Sequence, residues 1–158
     1  IALGHGYRAD GSFFYGTDPK RFDPNPEIIT AGLQVGVSPQ SSYKLQEPMD
    51  PAALKEITIL LNDAKNRGIQ LTGFAAPFAP SYFKSMQEMP EYRRFLASFA
   101  EVKRLFESKG FPFIDASNGA EFGTDKEFVD ENHPGEAVFR RILEKISAQD
   151  AYLKNCLE

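Results

Sequence analysis

Asp130 and His133 are the two residues of this chain whose types and spacing best suit chemistry. They lie in Phe128-Val129-Asp130-Glu131-Asn132-His133-Pro134-Gly135, which runs into an amphipathic helix. Histidine is the side chain whose ordinary pKa, about 6.5, suits proton transfer near neutrality. Its imidazole can take a proton from a nucleophile through one ring nitrogen when a carboxylate holds the other nitrogen as a donor. A three-residue gap across a turn brings an aspartate and a histidine within that reach. The pattern predicts the acid–base part of a hydrolytic or acyl-transfer site. The same spacing also suits a histidine that merely caps a helix beside a solvated acid.

A nucleophile is harder to find. Asp10-Gly11-Ser12 falls on a predicted turn, and Ser41, Ser42 and Ser81 could supply a hydroxyl but have no partner motif. His5, between two glycines, could be a ligand, and Arg8 could hold an anion; an exposed turn residue and a surface ion pair account for them equally well. Tyr92-Arg93-Arg94 reads as the solvated edge of a helix. Phe13-Phe14-Tyr15 and Phe78 could line an acyl or sugar pocket, but in a chain with 14 phenylalanines core packing is the default. Two histidines with scattered acids form no recognisable metal spacing, and neither a metal nor a cofactor is expected.

The elements that must position these residues divide the chain into two textures. The 158 residues, 42% hydrophobic and 25% charged, suit one domain, or a fragment of one, with a real core. A net charge of −4 argues against a broad nucleic-acid footprint. No apolar run approaches the ~20 residues of a membrane helix. Cys156, the one cysteine, forms no internal disulfide.

Residues 1–49 are rich in Gly, Pro, Asp and Ser and show no sustained period. A short ribbon is predicted over Gly4 to Gly16, turning at Asp10-Gly11, and Asp18-Pro19 and Asp23-Pro24-Asn25-Pro26 break regular structure after it. From Met49 the pattern is regular, and residues 50–154 form the α/β part. Asp50-Pro51 starts a helix with Leu54, Ile57, Leu60, Leu61 and Ala64 at helical spacing, and Gly68 ends it. Ile69 to Ala76 reads as a buried strand stopped by Pro77, and a short helix covers Pro80 to Met86. A long helix from Pro90 carries Tyr92, Phe95, Leu96, Phe99, Val102 and Phe106, and Gly110 closes it. Phe111 to Asp115 is the next strand, and a polar loop runs from Ala116 to Asn132. The last helix, Pro134 to about Tyr152, turns Val138, Phe139, Ile142, Leu143 and Ile146 inward.

Helices alternating with strands predict an α/β fold: a parallel sheet with helices on both faces, a three-layer α/β/α arrangement of flavodoxin-like type. Sites in such folds gather at the carboxyl ends of the strands, where Pro77 to Pro80 and Asp115 to Asn132 leave the sheet. Only two strands are evident, whereas a doubly wound sheet has about five or six. The others are expected within residues 1–49 or before Ile1.

Phe-x-Asp-x-x-His-Pro, after a strand ending in Ile-Asp and before a final helix, resembles the last block of the SGNH (GDSL-type) hydrolase superfamily. The resemblance covers roughly residues 50–150, with helix, strand and strand in the same order. It implies that Asp130 and His133 complete a Ser-His-Asp triad. It also implies an esterase or O-acyltransferase acting on a small-molecule or glycan ester. The family's Gly-Asp-Ser nucleophile block and its glycine and asparagine oxyanion donors have no counterpart here. The expectation is therefore an incomplete, C-terminal portion that needs a preceding part of its own protein. Gly6 to Tyr15 resembles SGNH-like proteins related to cell-surface polysaccharide O-acetyltransferases, which implies an extracytoplasmic, bacterial setting. A non-catalytic SGNH-like binding module, and an unrelated flavodoxin-like domain in which Asp130 and His133 are incidental, are the competing readings.

Overall fold

The computed structural model describes residues 6–7, 13–14, 26–37 and 47–149. Their order is β1 (Gly6–Tyr7), β2 (Phe13–Phe14), α1 (Pro26–Val37), α2 (Pro51–Asn66), β3 (Gly73–Ala75), α3 (Pro80–Glu88), α4 (Arg93–Ser108), β4 (Phe113–Asp115) and α5 (Glu136–Gln149). Single 3-10 turns occupy Pro90–Tyr92, Gly119–Glu121 and Asp125–Glu127. The chain is mixed α/β. No helix among the described residues is long and apolar enough to cross a membrane.

The helix ends follow local chemistry. Asp50 Oδ1 accepts the Ala52 N–H at 2.8 Å, satisfying one of the free amides at the start of α2. Gly68 and Gly110 leave α2 and α4 with φ of +67° and +85°, a left-handed conformation that glycine adopts without a Cβ penalty. Ala79, the residue before α3, offers no side-chain cap. A distant carboxylate does the job instead: Asp125 Oδ1 accepts the Ser81 N–H at 3.0 Å and the Ser81 hydroxyl at 2.9 Å. That contact ties the start of α3 to the segment that precedes Asp130.

The strands β3 and β4 pair in parallel, with Gly73 opposite Phe113, Phe74 opposite Ile114 and Ala75 opposite Asp115. Pairing resumes beyond their carboxyl ends, where Phe78 bridges Asn118 and donates its N–H to the Ser117 carbonyl at 3.0 Å. Phe78 also anchors an aromatic group, with ring centroids 6.1 Å from Tyr82, 6.0 Å from Phe95 and 6.4 Å from Phe99. The core below this edge joins Ile114, Ala116, Phe122 and Phe128 to Val138, Ile142 and Ile146 of α5. It continues to Tyr82, Phe83 and Met86 of α3.

Several sequence expectations are corrected. Pro26 does not end regular structure; it opens α1, twelve residues long, at a position where a missing N–H costs nothing. Ile29 and Leu33 bury against the core, and the Tyr92 hydroxyl donates to the Leu33 carbonyl at 3.0 Å. Tyr92 is thus a buried anchor rather than a solvated helix edge, and burial pushes its phenol pKa up, keeping it a neutral donor.

The strand expected over Ile69 to Ala76 is only Gly73–Ala75, and Ile69 and Phe74 are exposed. Two parallel strands cover too little area to bury both faces. Pro134 does not begin the last helix: it bridges Phe128 in an antiparallel pair, and α5 starts at Glu136. In α5 the stripe Val138, Ile142, Ile146 faces inward, leaving Phe139 and Leu143 one position round and exposed. Leu60 of α2 is exposed for the same reason. The segment after β4 is less a polar loop than a folded strap, holding two 3-10 turns and the buried Phe122 and Phe128.

The ribbon expected near the start appears as Gly6 paired with Phe14 and Tyr7 with Phe13. Its Asp10-Gly11 turn, along with His5, Arg8, Ser12, Tyr15, Ser41, Ser42 and Cys156, lies outside the described residues.

Gly119 is where the strap crosses the strand exit. A β-carbon there would run into the Phe78 carbonyl oxygen and stand 2.9 Å from Phe128 Cζ. Gly119→Ala is expected to cost about 2–3 kcal/mol through this overpacking, read from urea midpoints. A melt matching the parent would show that the crossing has room to spare.

Candidate functional site

The site is built from a loop that closes on itself and docks on the strand exits. Its base is an antiparallel pinch. The Gly135 N–H donates to the Glu127 carbonyl at 2.8 Å, Phe128 bridges Pro134, and the Val129 N–H donates to the His133 carbonyl at 2.8 Å. Phe128, 1% exposed, drives one arm of the pinch into the core. The tip is tied to β3's exit by the Ala79 N–H, which donates to the Glu131 carbonyl at 2.9 Å. The loop that carries Asp130 and His133 is therefore tethered at the carboxyl edge of the sheet, one residue past Phe78.

Within the loop, one carboxylate takes most of the donors. Asp130 Oδ1 accepts the backbone N–H of Asn132 at 3.0 Å and of His133 at 2.9 Å. Oδ1 and Oδ2 also lie 2.8 and 2.7 Å from His133 Nδ1, within charge-assisted hydrogen-bond range. A carboxylate can only accept, so this contact requires the proton on Nδ1, and in the neutral ring that leaves Nε2 as the acceptor. The His133 side chain is 58% exposed and that of Asp130 41%, so the ring is not a core residue. Nε2 has no hydrogen-bond partner among the described residues. The arrangement can accept a proton at Nε2 and steady the resulting imidazolium through Asp130.

The remaining candidates divide clearly. The Ser81 hydroxyl is committed to Asp125, not to His133. Phe78, half-buried, packs in the aromatic group with Tyr82, Phe95 and Phe99. Arg93 and Arg94 are exposed, and Arg94 pairs with Glu101 at 3.2 Å. Among the described residues no three His, Cys, Asp or Glu side chains gather as metal ligands would.

Residues that sequence reading passed over hold the loop from behind. Glu127 Oε2 accepts the Thr124 N–H at 3.0 Å and its hydroxyl at 3.3 Å, a capping box that Thr124-x-x-Glu127 signals in the sequence. Glu127 Oε1 accepts from Arg141 Nη1 of α5 at 2.8 Å, and the same nitrogen donates to the Phe122 carbonyl at 2.6 Å. Lys145, one turn further along, pairs with Glu121 at 2.7 Å and stands 4.8 Å over the Phe122 ring. No local motif signals these long-range contacts.

No family model matches the chain, and neither a curated protein nor a solved structure matches it.

The Arg141 hydrogen bond, and then the Thr124 N–H, hold the Glu127 carboxyl below its ordinary pKa. A depressed folded-state pKa stabilises the fold above the unfolded value of about 4.3, and the benefit is lost as pH falls through the lower folded value. The pair is partly solvated, so its contribution is about 1 kcal/mol at most. Glu127→Gln should therefore be less stable than the parent at pH 7, with the gap closing in acid well below the ordinary glutamate value. Urea unfolding of both proteins at neutral and acid pH checks this; a gap independent of pH would contradict it.

Proposed function

We propose that this chain supplies the aspartate and histidine of an SGNH-type serine esterase or O-acyltransferase acting on an ester, with O-acetylated glycans the favoured substrate class. The observation that carries the reading is the two-oxygen grip of Asp130 on His133 Nδ1 at 2.7 and 2.8 Å, with the ring exposed at the strand exits. In this reading Asp130 keeps the proton on Nδ1. Nε2 removes the proton of a serine hydroxyl as its oxygen attacks the ester carbonyl carbon. The imidazolium then returns that proton to the leaving alkoxide. Water, or an acceptor hydroxyl in a transferase, repeats the proton transfer to Nε2 and releases the acyl group.

We assign the serine and the oxyanion donors to a preceding part of the same protein. The finer fold belongs to the same proposal: a three-layer α/β/α sheet in which further strands extend the β3–β4 pair. Parallel sheets occur almost always with both faces covered. Phe74 on β3, Phe139 and Leu143 on α5, and Ile59 and Leu60 on α2 are large apolar side chains left 40–59% exposed. Added strands and a covering layer would bury such surface.

The test compares the chain alone with a polypeptide that includes the preceding segment. The chain alone should turn over an aryl acetate poorly. In the longer polypeptide, His133→Ala should cut turnover by roughly four to six orders of magnitude while melting close to the parent. Asp130→Asn should cost roughly ten-thousandfold through the wrong tautomer. Full activity in both variants would reduce the motif to structure. Robust turnover by the chain alone, lost in His133→Ala, would move the nucleophile to Ser12, Ser41, Ser42 or Ser81.

A further inference from the structure

We propose that Arg141 of α5 is a positioning residue for the Asp130–His133 pair, acting through Glu127 on the base of the loop. The proposal rests on the acyl-transfer reading for its catalytic consequence, but not for its geometry. One nitrogen, Arg141 Nη1, donates both to the Phe122 carbonyl at 2.6 Å and to Glu127 Oε1 at 2.8 Å. Glu127 is the residue from which the loop closes, because its carbonyl accepts the Gly135 N–H at 2.8 Å. Its side chain is fixed to α5 and Thr124, and its main chain to Gly135. The pinch that carries His133 therefore inherits its position from the helix.

Only the Phe128–Pro134 bridge and the Val129–His133 hydrogen bond lie between that closing contact and the Asp130 carboxylate. Releasing Glu127 from Arg141 leaves its carboxylate held by Thr124 alone, within the same strap. The end of the strap at Glu127 then loses its side-chain tie to α5, while Phe122 and Phe128 in the core, Asp125 on Ser81 and Ala79 on Glu131 keep the loop folded. The expected result is a displaced or mobile imidazole rather than an unfolded protein.

Lys145 serves as the internal comparison. It grips the same strap through Glu121 and the Phe122 ring, whereas the Glu127 carboxylate bonds to Arg141 and Thr124. A role confined to stability predicts similar behaviour from Arg141 and Lys145. A positioning role separates them. A lysine at 141 can reach one acceptor but does not reproduce the guanidinium's planar geometry, so it should restore the effect only in part.

The experiment uses Arg141→Gln, Arg141→Lys, Glu127→Gln and Lys145→Gln in the intact chain. It reads the solvent-exchange rate of the His133 Nδ1 proton by NMR, with circular dichroism to confirm folding. Arg141→Gln and Glu127→Gln should speed that exchange at least about tenfold, Arg141→Lys by less, and Lys145→Gln not at all. In a polypeptide competent for acyl transfer, Arg141→Gln should lower kcat by about 10–100-fold with KM within about twofold, as a small misplacement of a catalytic group does.

Parent-like exchange in folded Arg141→Gln and Glu127→Gln would overturn the proposal. So would equal effects of Arg141→Gln and Lys145→Gln. If Arg141→Gln does not fold, Arg141→Lys and Glu127→Gln decide; if none of the three folds, Arg141 is a stability bridge and the proposal fails. Faster exchange in Arg141→Gln, combined with full activity of His133→Ala, would keep the positioning role and discard the acyl-transfer reading.

Discussion

The Asp130 carboxylate is the contact on which the site depends, because it does two jobs at once. By accepting the Asn132 and His133 amides it turns the backbone; by accepting Nδ1 it aims the ring. The two jobs reinforce each other. A carboxylate pinned by main-chain donors is held against the imidazole, so the loop orients the ring with its own atoms, and what the rest of the fold must set is the position of the loop. The same economy makes the loop vulnerable, since any change in the path between Val129 and His133 moves turn and ring together.

The surroundings explain why such a loop can stand at a solvent-exposed edge. Three short tethers meet there: Phe78 on Ser117, Ala79 on Glu131, and Ser81 on Asp125. Each joins the exit of β3, or the start of α3, to a different point of the strap that follows β4. Below them Phe122 and Phe128 are buried against α5, each worth several kcal/mol if truncated, on the order of 3–5 kcal/mol. Apolar burial holds the strap down and polar contacts set its register. Arg141 and Lys145 add charge on the same side of α5, at the boundary between that core and water.

Much of this was legible where the governing interactions are local. Asp50 before Pro51, Gly68 and Gly110 mark helix ends that depend only on a few neighbouring residues. The Asp130–His133 contact spans three residues, so a turn alone can close it. Features set by distant partners were not legible. Pro26–Val37 reads as broken loop because Pro24 and Pro26 stand at its start and Gly32 and Gly36 lower its helix propensity, yet Tyr92 and the core hold Ile29 and Leu33 in a helix. Phe139 and Leu143 carry the right apolar character, but only a neighbour decides which flank of a helix is covered. Asp125 caps α3 from 44 residues away, which no spacing rule reaches.

The most direct test of the central claim is the nitrogen-15 spectrum of the His133 side chain in the intact chain, recorded above the pH at which the imidazole loses its charge. The account predicts a neutral ring protonated at Nδ1, with Nε2 resonating as a lone-pair nitrogen, and loss of that preference in Asp130→Ala. A ring protonated at Nε2, or an even mixture unchanged by Asp130→Ala, would show that the carboxylate does not hold the imidazole for chemistry.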